Sequence, residues 1–123
     1  MRPVTAIPLA DTDDNPDTSA DPDWLPLINT PAHPEFPAGH PSLNGAAATI
    51  LLSHFSDEQA FTLITGQVSR TYTSIGQARS DGNNARIWGG MHFPSTIQIS
   101  DAEGESVANY VNQNSMTRVR DRE

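Results

Sequence analysis

Residues 41–55 read PSLNGAAATILLSHF, and the spacing of their apolar side chains decides the fold class. Leu43, Ala47, Ile50, Leu51, His54 and Phe55 recur three and four residues apart, which gathers side chains onto one face of an α-helix. Pro41 suits a first helical turn, where its missing N–H would lack a partner in any case. The stretch therefore reads as an amphipathic helix with one apolar stripe.

Toward the C-terminus, Phe61, Leu63 and Ile64 form a short apolar cluster, and a helix is expected from about Thr73 to Arg79, ending at SDGNN. A further short helix from about Asn84 should stop at Gly89-Gly90, whose tolerance of positive φ suits a helix end. Ser100 with Glu103 makes a capping-box signature, and Val107, Tyr110 and Val111 give a last helix a narrow apolar face. Toward the N-terminus, residues 1–37 are dominated by Asp, Pro, Thr and Ser, and neither helical nor strand period survives there. An arm of that length implies a function or a missing packing partner. The chain thus reads as all-α with long loops and no repeat: an acidic Pro-rich loop arm over 1–37, then a helical segment over 38–123.

Bulk chemistry narrows the partners. At 123 residues there is room for one modest core. A net charge of −8 argues against nucleic acid, whose phosphates demand clustered cations. All seven basic residues are Arg; Arg118, Arg120 and Arg122 read as a solvated charged tail. Cysteine is absent, so thiolate chemistry is excluded and the compartment stays unknown. No apolar run approaches the roughly 20 residues of a membrane span, and the piece is expected to be soluble. Asp11, Asp13, Asn15 and Asp17 alternate like the start of a calcium loop, but Pro16 stands where glycine is needed and the closing glutamate is missing. A solvated acidic loop is the better reading.

Two stretches could carry chemistry, HPEFPAGHPSLNGAA around His40 and NARIWGGMHF around Arg86 and His92. A Gly39-His40 pair at a helix mouth puts a free amide and an imidazole where the macrodipole is positive, a seat for an oxyanion. A cap or surface histidine is the plainer alternative. In the second stretch Arg86 and Gly90 fall one turn apart, and the glycines let His92 point back toward the guanidinium. Such a pair suits oxyanion oxygens and covalent or coordinate bonding at the imidazole, against the alternative of a buried helix end with a locally bonded histidine.

Together the stretches resemble the motifs of the vanadium-dependent haloperoxidase and type-2 phosphatidic acid phosphatase superfamily. Pro37-Ala38-Gly39-His40 is similar to its Pro-Ser-Gly-His, and Ala85 through His92 to its Ser-Arg, three residues, Gly, one residue, His. Met1-Arg2-Pro3 looks like the end of the remaining motif, a lysine, six residues, then Arg-Pro. The wording RPVTAI, DPDWLPLI and RIWGGMHF is closer to the bacterial haloperoxidase-like branch.

The resemblance implies the C-terminal half of a helical bundle and a vanadate cofactor. In it His92 would be the axial vanadate ligand, or the nucleophile of a phosphatase acting through a phosphohistidine. His40 would be the acid–base group, Arg2 and Arg86 would neutralise equatorial oxygens, and the Gly39 amide would donate to another. The implied activity is halide oxidation by hydrogen peroxide, by attack on peroxide polarised at the metal; the phosphatase alternative would take a phosphate ester. Three departures weaken the site. Ala38 replaces the donor serine, the chain has no lysine, and Thr96 stands where members often place an aspartate that orients the histidine. These favour a truncated form, or a degenerate non-catalytic fragment that self-assembles. An apolar face left by a missing N-terminal half would then be covered by self-association or a partner. His40 and His92 are expected in one pocket, with the helix after His40 packed against the Arg86 segment.

Overall fold

The computed structural model describes residues 1–115; Arg118, Arg120 and Arg122 fall outside the described residues. In chain order come α1 (Pro3–Ala6), a 3-10 segment (Ile7–Thr12), α2 (Gly39–Leu52), β1 (Phe61–Thr65), β2 (Val68–Tyr72), α3 (Ile75–Trp88) and α4 (Pro94–Asn114). Among the described residues no helix is long and apolar enough to cross a membrane.

The centre of the molecule is the α2–α4 pair, with α3 packed against α2. The two backbones approach through small residues: Gly45 and Ala48 of α2 are buried, as are Ser100, Gly104 and Ala108 of α4. A Cβ built on Gly104 would stand 1.9 Å from the Ser42 carbonyl oxygen, so no larger residue permits this approach. Helices this close push their bulky side chains to the flank. The expected stripe on α2 is therefore an outer groove and not a core face: Leu43, Ala47, Ile50 and Leu51 join Val107 and Val111 of α4 around an apolar channel of about 500 Å³. His54 and Phe55 lie beyond the helix end.

Four expectations need correction. The fold is helical but not all-α, because the Phe61 cluster belongs to an antiparallel hairpin pairing Phe61 with Tyr72 and Thr65 with Val68. Its two-residue turn places Gly66 at φ 60°, a position glycine adopts without steric cost. The two helices expected on either side of SDGNN are one, α3. It opens on a Ser74 cap whose hydroxyl accepts from the Gln77 amide at 2.9 Å, while the Gln77 side chain accepts from the Thr73 amide, one residue before the cap, at 2.8 Å. It passes through Gly82 because tertiary contacts outweigh local propensity. Arg79 donates to both Asp101 oxygens at 2.9 and 2.7 Å and to Glu105 at 2.7 Å, while Asn83 donates to Asp101 at 2.9 Å and accepts from Asn44 at 3.0 Å.

The last helix begins at Pro94, not Ser100; Ser100 is a buried mid-helix residue whose hydroxyl accepts the Ala38 amide at 2.8 Å. Finally, the arm is not wholly irregular, since it carries α1 and the 3-10 segment. Its acidic centre forms local turns, with Asp13 accepting from the Asn15 amide and the Thr18 hydroxyl at 2.9 and 3.2 Å.

Candidate functional site

The N-terminus of α2, the end of α3 and the loop before α4 meet around a cavity of about 420 Å³. His33, Gly39, His40, Arg86, Met91 and His92 are among the residues lining it. Residues of the two expected motifs thus line one cavity. Gly39 begins α2 after Ala38, which offers no side-chain cap, so the positive end of a 14-residue helix opens without a side-chain acceptor. A Cβ built on Gly39 meets nothing within 4 Å.

The second motif turns as its glycines suggested. Gly90 has φ 72°, and a Cβ there would lie 2.7 Å from the Trp24 ring. The turn returns the Met91 and His92 amides to the Arg86 carbonyl at 2.9 and 3.3 Å, which closes the end of α3 and sets His92 beside the cavity.

His92 is 4% exposed and held on both ring edges. Its Nδ1 lies 3.0 Å from a Glu35 oxygen, and its Nε2 lies 3.3 Å from an Arg2 Nη1 that also donates to the Met91 carbonyl at 2.9 Å. Arg2 is itself buried, its other guanidinium nitrogens donating to the His33 and Pro34 carbonyls at 3.0–3.3 Å. Glu35 accepts from the Thr96 hydroxyl at 2.8 Å and the Phe93 amide at 3.2 Å. The sequence reading missed Glu35 and His33; the available signal was that both fall in the HPEFP run just before Gly39-His40.

Electrostatics follow from burial. Burial depresses the His92 pKa, and the positive charges of Arg2 and Arg86 add to this against the opposing pull of Glu35. Burial, then Arg86 and His33, depress that of His40. Both imidazoles are therefore neutral near pH 7, as groups that accept or share a proton must be. For Glu35 burial would raise the pKa, but hydrogen bonds from Thr96, Phe93 and His92 outweigh it and keep the carboxyl ionised. Burial and Arg2 make the Arg86 charge costly, and among the described residues its Nε is buried without a hydrogen-bond partner.

Over residues 1–121 the chain matches the model of the VCPO second helical-bundle domain. A bacterial vanadium-dependent iodoperoxidase is similar at 30% identity and a TM-score of 0.73, over 89% of this chain and 26% of that one. A holo-type bacterial vanadium-dependent chloroperoxidase shares the fold at 22% identity and a TM-score of 0.67, over 91% and 29%. No curated protein matches the chain. It thus spans under a third of the length of these solved relatives. A match to that domain over nearly the whole chain, with a relative at 30% identity, establishes that the chain belongs to the vanadium haloperoxidase family.

Proposed function

We propose that the chain carries the oxyanion-binding site of a vanadium-dependent haloperoxidase, which in its longer form oxidises halide with hydrogen peroxide. The observation that carries this reading is the Arg86 guanidinium: a buried, unpartnered Nε beside a cavity that Gly39, His40 and His92 also line. A buried cation donor without an acceptor is costly, and an oxyanion would relieve that cost.

The residues present fit vanadate in kind. Arg2 and Arg86 offset its charge, the Gly39 amide donates from the mouth of α2, and His92 offers a neutral imidazole nitrogen. Vanadate, when bound, supplies Lewis acidity that polarises peroxide toward halide. His40, neutral and on the cavity wall, is the group that can take and return a proton. To hold the oxyanion, His92 Nε2 would have to give up its contact with Arg2 Nη1, 3.3 Å away. With Ala38 in the serine position and no lysine in the chain, the site is underpowered and this chain alone binds vanadate weakly.

Calorimetric titration with orthovanadate, beside a bromination assay with peroxide, tests the reading. Expected are weak binding, its loss in His92→Ala, and a gain of about tenfold in Ala38→Ser, the size of one restored hydrogen bond to a charged oxygen. Binding that survives His92→Ala would overturn the site. Hydrolysis of a phosphate ester without vanadate would move the assignment to a phosphatase acting through a phosphohistidine. Saturable binding by neither the wild type nor Ala38→Ser would leave a non-catalytic module, which Ala38 and the apolar α2–α4 groove favour.

A further inference from the structure

Glu35 enters none of the motifs by which the family is recognised, yet it is a buried carboxylate, 8% exposed, with both oxygens committed around His92. One oxygen lies 3.0 Å from His92 Nδ1 and accepts the Phe93 amide at 3.2 Å; the other accepts the Thr96 hydroxyl at 2.8 Å. On the far edge of the same ring, Arg2 Nη1 stands 3.3 Å from Nε2. An ionised carboxylate can only accept and a guanidinium can only donate. Both neighbours therefore favour one arrangement, a proton on Nδ1 and a lone pair on Nε2, and the carboxylate at 3.0 Å is the closer and stronger of the two against the guanidinium at 3.3 Å.

We infer that Glu35 is the positioning residue that fixes the tautomer and ring orientation of His92. It reaches across 57 residues of sequence to do so, and Thr96, one helical turn after the histidine, serves the carboxylate and not the ring. The Phe93 amide and Thr96 hydroxyl hold the two oxygens in place from the start of α4, so ring and carboxylate are fixed to one frame. A partner of this kind, bonding the nitrogen opposite the ligating one, sets which nitrogen is free to bind. The inference rests on the proposed role of His92 as oxyanion ligand only for its functional consequence. The tautomer itself is independent of that role.

The test uses the full chain labelled with 15N-histidine and long-range proton–nitrogen NMR at pH 8, where the imidazoles are neutral. Wild type should show His92 as a single species protonated at Nδ1. Glu35→Gln, whose amide oxygen still accepts, should keep it, and so should Arg2→Ala. Glu35→Ala should give a mixture of both tautomers and a loss of roughly 10–100-fold in orthovanadate affinity. Wild-type His92 protonated at Nε2 would overturn the inference, and this holds even if Glu35→Ala does not fold. A tautomer switch in Arg2→Ala would overturn it by giving the task to Arg2. So would an unchanged tautomer in a folded Glu35→Ala. If the tautomers respond as expected but wild type binds no orthovanadate, the positioning role stands and only the oxyanion reading falls.

Discussion

Arg79 and Arg86 stand on one helix, two turns apart, with the same guanidinium and opposite company. Arg79 is held by two oxygens of Asp101 and one of Glu105, and those hydrogen bonds, Asp101 first, raise its pKa further still. Arg86 has no carboxylate against it among the described residues, and burial pulls its pKa down. The first guanidinium is consumed in tying α3 to α4. Among the described residues the second keeps its buried Nε without a partner, and its residue lines the cavity, at a cost to the fold. Charge alone does not tell structure from function; the presence of a counter-ion does.

The contrast breaks if both substitutions act alike. Arg79→Ala should destabilise most, by about 2 kcal/mol, because it strands Asp101, whose side chain is only 20% exposed; thermal unfolding monitored by circular dichroism should fall by roughly 8 °C. Arg86→Ala should leave stability unchanged or raise it by up to about 1 kcal/mol, because it removes the unpartnered donor, but weaken orthovanadate at least about tenfold, the size of a lost charged hydrogen bond. Equal loss of stability in the two variants would mean that Arg86 is a second structural clamp.

Acid should separate the two regions by pH. His40 and His92 have depressed values, so the unfolded chain binds more protons than the fold; stability should decline as pH drops below about 6.5, the unfolded value. Asp101 behaves likewise at lower pH: burial raises its pKa, but hydrogen bonds from Arg79 and Asn83 outweigh that. The stability it contributes is present above about 3.9 and lost below. Urea unfolding across pH 3–8 should show Arg79→Ala flattening the acid limb and sparing the histidine limb. The smallest effect belongs to Glu105→Gln. Its side chain is 48% exposed, so a change within about 0.5 kcal/mol is expected by the same unfolding measurement.

What was legible in the sequence divides along similar lines. The positions of Gly39, His40, Arg86 and His92 could be read because each motif is local: a helix mouth, and one turn of helix followed by glycines. Gly90 does what its identity implies. The hairpin was not legible because adjacent Leu63 and Ile64 break the strict alternation that marks a half-buried strand, although Phe61, Thr62, Ile64 and Thr65 are strand formers before a Gly66-Gln67 turn. The break expected at SDGNN failed because Asn83 finds partners on two other helices. Glu35 was invisible because its partners lie 57 to 61 residues away, a distance no periodicity spans.

The Arg2–His92 contact joins residues 90 apart, and this bears on when the site can form during synthesis. At about 5–20 residues per second, Arg2 is joined to the growing chain roughly 5–20 seconds before His92 is. Through that interval the Arg2 guanidinium has no His92 to meet, and α2 is made before α4 can cover its small-residue face. The cradle thus cannot close before residue 92 has been made, and a chain cut anywhere between those two residues would fold without it.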